Sequence, residues 1–441
     1  MNLAGVTTNR IGIRREDKNQ WERRVPLVPD DVAQLVDAGL DIAVQPSDLR
    51  IFPDSAYELA GATVAEDLGD CGVVLAVKEI PPELFRPGVA YVYFSHTIKG
   101  QAHSMPALQA MLDTRGTLID FERIADADGA RLVHFGRFAG VAGTIDALWA
   151  LGRRWQVQGF DTPLSNLRPT IDYPSMEQAL DAVGEVGAAL AADGLPDALE
   201  PLVVGITGYG HVAQGALEVL ARLPMRQVGA GELAEATMRS DEVAVCVLTE
   251  SDTVAPNQSA GRRGVVDVAD FRAHPEGYRS IFAPVAARLS LLINSIYWDP
   301  RAPRLLTWED LVPLAERGRL AVIADLSCDI DGAIQSTVRA TESGDPVYAV
   351  DPVTRSARNG FEGPGIVVLA VDNLPCELPA DASAAFSAAL RPLVPGLAAA
   401  DFAQPSPDLP PELARAMVAH DGDLTPAFEY LREPLRAAAT A

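Results

Sequence analysis

The stretch Pro201 to Leu220, PLVVGITGYGHVAQGALEVL, constrains what this chain can fold into more than any other. Leu202-Val203-Val204-Gly205-Ile206 is a short apolar run of the kind that makes a buried parallel strand, and Val212 to Leu220 carries apolar residues at helical spacing. Between them Gly208, Gly210 and Ala213 fit G-x-G-x-x-A. The first glycine permits a tight turn, the second lets the backbone approach a pyrophosphate, and the small residue allows close helix–strand packing. The N–H groups and positive dipole end of the following helix then face the phosphates. Gly208, Tyr209, Gly210, His211, Val212 and Ala213 are therefore the expected cofactor contacts. Turns of this kind recur in α/β proteins without a nucleotide, so the residues before it must also be read.

The first 130 residues alternate strand-like and helix-like segments. Strands are expected at Arg10 to Arg14, Asp41 to Gln45, Gly72 to Val77, Tyr91 to Phe94 and Thr117 to Phe121, with helices at Pro29 to Ala38, Ser55 to Ala60 and Pro106 to Leu112. This is a doubly wound α/β pattern. Polar residues follow the strands: Arg14 and Arg15 after the first, Lys78 and Glu79 after the third, Ser95 and His96 after the fourth, Glu122 after the fifth. In an open parallel sheet these are all carboxyl ends, where ligands bind. Any one strand end is polar simply because the chain meets water there. Lysine, histidine and glutamate at three successive ends favour a site.

Phe135 to Gly159 reads as a long helix with small residues at Ala139, Gly140, Ala142 and Gly143, leading out of a first domain. A helix at Met176 to Ala192 precedes the glycine-rich turn, and strands are expected afterwards at Val243 to Leu248, Leu291 to Ile296, Leu320 to Asp325 and Gly365 to Val371. The tail from Leu374 is alanine- and proline-rich without an obvious strand, and is expected to return to the first domain as helices. The reading is α/β with two doubly wound, Rossmann-like domains: residues 1–139 plus 373–441, and a dinucleotide-binding domain over 140–372.

Composition narrows the partners. With 36 basic against 60 acidic side chains the net charge is −24, which disfavours nucleic acid and anionic membranes. No charge-free apolar run reaches the ~18 residues that would span a bilayer, and the first residues lack the apolar core of a signal peptide. A cytoplasmic protein is expected. Cys71, Cys246, Cys328 and Cys376 form no C-x-x-C pair and read as reduced thiols, and the histidines lack a second ligand at metal spacing, so no metal is expected.

An NAD-preferring unit places an acidic residue on its second strand about 20 residues beyond the glycines. Here that region is Met225-Arg226-Gln227-Val228-Gly229-Ala230-Gly231-Glu232, where Arg226 suits a 2′-phosphate and Glu232 a hydroxyl. The reading leans to NADP(H) over NAD(H), through Arg226.

Gly12-Ile13-Arg14-Arg15-Glu16-Asp17-Lys18, Trp21-Glu22-Arg23-Arg24, Val77-Lys78-Glu79-Ile80-Pro81-Pro82, Phe94-Ser95-His96-Thr97-Ile98-Lys99-Gly100-Gln101 and Phe135-Gly136-Arg137-Phe138-Ala139-Gly140 resemble the lysine-ketoglutarate reductase half of the bifunctional aminoadipic semialdehyde synthase family, also called saccharopine dehydrogenase (lysine-forming). Tyr297-Trp298, Pro303-Arg304-Leu305-Leu306, Ala324-Asp325-Leu326-Ser327-Cys328-Asp329-Ile330 and Val371-Asp372-Asn373-Leu374-Pro375 agree. The fold implied is that of alanine dehydrogenase and transhydrogenase. The resemblance implies NAD(P)H-dependent condensation of L-lysine with 2-oxoglutarate to saccharopine, in lysine degradation. It implies an acid–base pair at Lys78 and His96. Glu79 and Glu122 are placed to orient that pair or to hold the substrate ammonium groups, Arg14, Arg24 and Arg131 suit the 2-oxoglutarate carboxylates by bidentate pairing, Lys99 is a further substrate contact, and Asp325 joins the cofactor contacts. Lysine must lose a proton to attack and the carbinolamine must gain one to lose water, steps that favour groups with pKa near the working pH. His211 stands where the family pattern leads one to expect asparagine, and a separate glutamate-forming saccharopine dehydrogenase would be needed to take the product onward. An alanine-dehydrogenase-like or opine-forming enzyme, and a catalytically silent nucleotide-binding regulator, are the alternatives.

Overall fold

The computed structural model describes residues 9–234, 239–258 and 265–439. Residues 1–8 and part of the stretch after Met225 lie outside them. The chain forms two compact units, one of residues Met1–Phe135 with Pro379–Ala441 and one of Gly136–Leu378.

Strands β1 (Ile11–Ile13), β2 (Ile42–Val44), β3 (Thr63–Val64), β4 (Val73–Leu75), β5 (Ala90–Tyr93) and β6 (Thr117–Asp120) belong to the first unit. The second holds β7 (Leu202–Thr207), β8 (Met225–Gln227), β9 (Val243–Leu248), the small pair β10 (Val254–Pro256) and β11 (Tyr278–Ser280), then β12 (Leu291–Asn294), β13 (Val322–Asp325), β14 (Val347–Asp351), β15 (Ser356–Asn359) and β16 (Ile366–Leu369). The chain ends in the first unit with β17 (Met417–His420) and β18 (Asp423–Leu424).

In the first unit the sheet order is β18-β17-β6-β5-β4-β1-β2-β3, parallel from β6 to β3. Its short strands are buried on both faces, as continuous apolar runs require. The tail returns with two strands as well as helices, correcting the expectation of helices alone: β17 lies antiparallel on β6 and turns into β18. Asp421 and Gly422 both have positive φ, 49° and 87°, the requirement of a two-residue hairpin turn. Polar ties dock the returning helix Pro379–Leu390: the N–H groups of Val25 and Val28 donate to Ser383 Oγ and Ser387 Oγ at 3.0 Å each, and Ser387 donates to buried Asp31 at 2.5 Å.

In the second unit the order is β15-β14-β16-β13-β12-β7-β9-β8, parallel except for the antiparallel β14–β15 extension on β16. The long helix Gly136–Val157 packs on the helix His211–Leu220 so closely that a Cβ on Gly140 would stand 1.9 Å from Val212 O, and one on Gly215 2.1 Å from Arg137 O. Those glycines set the seating of the helix that follows the glycine-rich turn. Deeper in this unit burial raises the Asp146 and Glu377 carboxyls, and Glu377 is raised further by Asp146.

Candidate active site

Four consecutive strands of the first sheet, β1, β4, β5 and β6, deliver Arg14, Lys78, His96 and Glu122 from their carboxyl ends. His96 takes φ 54°, in the left-handed region that few non-glycine residues occupy. Its Nε2 lies 3.7 Å from Glu79 Oε1, and Glu79 is also paired with Lys18 at 3.3 Å. Among the described residues Lys78 Nζ has no hydrogen-bond partner, although the group is half-buried.

Two carboxylates that the strand-end reading passed over build this arrangement. Glu16, buried three residues after β1, accepts the N–H groups of Val77 and Lys78 at 2.6 and 3.0 Å, fixing the segment that presents Lys78. Asp120, at the end of β6, accepts the N–H of Ser95 at 3.2 Å and of Glu122 at 2.7 Å, together with the Ser95 hydroxyl. It thereby holds the segments on either side of the site. The available signal was position alone: an acidic residue at or just past a strand that is buried on both faces.

Electrostatics divides these groups. Burial first, then the Arg24 and Lys18 charges, holds the Lys78 ammonium below its ordinary value. Burial likewise lowers His96, with Glu79 pulling the other way. Burial pushes Glu79 up, but Lys18, its own backbone, His96 and Lys78 outweigh it and keep the carboxyl low. Glu16 is pushed up to about 7 by burial and by Glu22, and Asp120 to about 6 by burial. The cluster thus holds two bases made easier to deprotonate beside a carboxylate that stays ionised. That is the pattern of acid–base work at neutral pH.

The candidate carboxylate binders fare differently. Arg24 and Glu22 form a fully buried ion pair, Nη2–Oε2 2.5 Å and Nε–Oε1 2.8 Å, with the guanidinium over the Phe135 ring at 4.2 Å. The Arg24 guanidinium is thus already engaged by Glu22. Arg14 is buried and paired with Asp17. Arg131 is more exposed and stands 3.8 Å from Glu122, and Lys99 is exposed on the loop after β5. A cavity of about 460 Å³ opens beside β1 and β4, lined by Arg14, Arg15, Glu66, Arg86 and Tyr91 among others; Lys78 and His96 are not in its lining.

In the second unit Gly208 has φ 91°, Gly210 caps the helix His211–Leu220, and Ala213 is buried beneath the turn. A Cβ at Gly210 would meet nothing within 4 Å, so the backbone there faces open space. An open glycine cradle before a helix N-terminus fits the phosphates of a nucleotide. His211 and Val212 open that helix, and Tyr209 stands half exposed between the glycines. Asp325 does not face such a ligand: fully buried, it accepts from Asn294 Nδ2 at 2.9 Å, Ser327 Oγ at 2.7 Å and Thr337 Oγ1 at 2.6 Å, while Thr207 Oγ1 donates to Asn294 at 2.6 Å. It ties the ends of β7, β12 and β13 together. Arg226 sits on the outermost strand β8, paired with Glu242 at 3.0 Å. Glu232 Oε2 accepts the Gly229 N–H at 3.2 Å. Among the described residues no His, Cys, Asp and Glu group could hold a metal ion, and no helix is long and apolar enough to cross a membrane.

Residues 12–142 match the family model described as alanine dehydrogenase/PNT, N-terminal domain, and residues 283–427 match alanine dehydrogenase/PNT, C-terminal domain. The chain is 38% identical over 445 residues to the alpha-aminoadipic semialdehyde synthase of Arabidopsis thaliana, an alignment covering 96% of this chain and 41% of that protein. It spans less than half the length of that relative and of the similar mitochondrial protein of Rattus norvegicus, 47% of which it covers. A saccharopine dehydrogenase (NAD+, L-lysine-forming) of Yarrowia lipolytica is 28% identical, with 87% of this chain and 90% of that protein aligned. Among solved structures an L-alanine dehydrogenase matches 97% of this chain and 99% of its own at TM-score 0.60 and 21% identity, a likeness of fold.

Proposed function

The chain belongs to the alanine dehydrogenase/PNT family, and from that membership and the Lys78–His96–Glu79 cluster we propose that it is a nicotinamide-nucleotide-dependent oxidoreductase that forms saccharopine from L-lysine and 2-oxoglutarate. The observation that carries the reading is a burial-lowered lysine, without a hydrogen-bond partner among the described residues, whose charge bears on a histidine 3.7 Å from Glu79. Relatives named for aminoadipic semialdehyde synthase and saccharopine dehydrogenase support the substrate.

In this reading the acid–base pair does two jobs. The incoming ε-ammonium of lysine gives up a proton so that its nitrogen can attack the keto carbon of 2-oxoglutarate. The carbinolamine oxygen then receives a proton and departs as water, leaving the imine. Lys78, with its charged form disfavoured by burial and by Arg24, suits the first transfer, and His96 the second. Glu79 steadies the imidazole, and Arg131 and Lys99 are the exposed cations to which the substrate carboxylates fall once Arg24 is assigned to Glu22. A bound nicotinamide nucleotide supplies the hydride that reduces the imine carbon, and the glycine turn Gly208–Ala213 would hold its phosphates.

The test is oxidation of reduced nucleotide with lysine and 2-oxoglutarate supplied together. A lysine-dependent rate that falls by about 10²–10⁴ in Lys78→Met and His96→Gln is expected. No lysine-dependent rate with either nucleotide sinks the proposal. Turnover of pyruvate with ammonia instead would replace it with an alanine-dehydrogenase-like reaction.

A further inference from the structure

Counting residues from the glycines leads to β8 as the strand whose end meets the nucleotide ribose, but the sheet is not built in that order. On that flank β7 pairs with β9, in parallel and in register along its whole length from Leu202↔Val243 to Thr207↔Leu248. β8 pairs with β9 and lies outermost. The strand end that stands beside the glycine turn, where nucleotide-binding sheets place their ribose-reading acid, is therefore the end of β9. The residues there are Thr249-Glu250-Ser251-Asp252.

Three of those four are committed to the protein. Asp252 accepts the Thr249 N–H and hydroxyl, both at 3.0 Å, and Ser251 Oγ accepts the Val266 N–H at 2.9 Å. Glu250 is half-exposed, and its Oε1 takes the hydroxyl of Tyr209, the residue between the two glycines, at 3.2 Å. That contact puts the Glu250 carboxylate at the turn itself. Arg226, by contrast, lies one strand further out and is held by Glu242.

Resting on the nucleotide-binding reading above, we propose that Glu250 selects the cofactor, and that the chain takes NADH in preference to NADPH. A carboxylate at this position accepts hydrogen bonds from the vicinal ribose hydroxyls, each of which has a proton to give. A 2′-phosphate has none to give and brings a second negative charge against the first, so the same group that attracts one nucleotide repels the other.

The experiment is titration of the purified chain with NADH and with NADPH, followed by nucleotide fluorescence, so that binding is read without turnover. Wild type should bind NADH at least about tenfold more tightly than NADPH, a gap well within what like-charge juxtaposition produces. Glu250→Ala should narrow that gap, mainly by tightening NADPH, while Arg226→Ala leaves it in place. Equal or tighter NADPH binding by wild type overturns the assignment without reference to any variant. So does a Glu250→Ala chain that binds nucleotide with the wild-type ratio. Binding of neither nucleotide by wild type fails the underlying nucleotide-binding reading, and the assignment with it.

Discussion

Replacing Arg24 by methionine separates two roles that the sequence alone leaves superimposed. The guanidinium and the Glu22 carboxylate are 2% and 1% exposed and meet through two contacts of 2.5 and 2.8 Å. Methionine keeps part of the apolar volume under the Phe135 ring but strips Glu22 of its bidentate partner, beside a second buried carboxyl, Glu16. Breaking one side of a buried ion pair costs about 3–5 kcal/mol, because the remaining charge is held out of water. For a unit of about two hundred residues this lowers the melting transition by roughly 6–20 °C. Calorimetry near neutral pH reads the shift directly. Adding Glu22→Gln removes the stranded charge, so the double variant should recover most of the loss, a coupling that independent sites do not show. If Arg24→Met melts with wild type while the KM for 2-oxoglutarate rises steeply, Arg24 is a substrate ligand and the reasoning from its burial is wrong.

Glu16→Gln should flatten the pH dependence of stability. A carboxyl whose folded pKa is raised from 4.5 to about 7 contributes stability that is complete below pH 4.5 and lost as pH rises through about 7, a difference of about 3 kcal/mol. Urea midpoints across that window should fall in wild type and change less in the variant, and parallel profiles would refute the shift. Gly140→Ala sets a Cβ 1.9 Å from Val212 O and should destabilise the second unit by about 1–3 kcal/mol or more; an unchanged melting transition would show that the two helices separate without cost.

Much of the fold was legible because its strands are short apolar runs buried on both faces, from Val73–Leu75 in the first unit to Ile366–Leu369 in the second. What escaped was structure whose signal lay elsewhere. The β17–β18 hairpin is marked by Asp421-Gly422, a turn dipeptide, but its strands sit in an alanine-rich tail that reads as helix. The β14–β15 hairpin pairs a short buried run, Val347–Asp351, with the exposed polar edge strand Ser356–Asn359, which carries no apolar signal of its own. In the site, Lys78 and His96 were visible because ionisable residues after parallel strands are conspicuous. Glu16 and Asp120 act through backbone N–H groups of distant segments, a relation that no spacing along the chain encodes.

The displaced strand β8 shows most sharply why local pattern and chain distance part company. The glycine turn was readable because everything it needs, a strand, a positive φ at Gly208 and a helix start, lies within a dozen residues. The partner strand that completes a ribose site is chosen by sheet order, and sheet order is decided by which apolar run best fills the place beside β7. Val243–Leu248 offers six residues, five of them buried, whereas Met225–Gln227 offers three that are partly or fully exposed. The longer, more apolar run takes the interior position and the shorter one the edge, as burial requires. Distance from the glycines then points to the edge strand, while the acid at the end of the strand beside β7 is Glu250, forty residues past the turn.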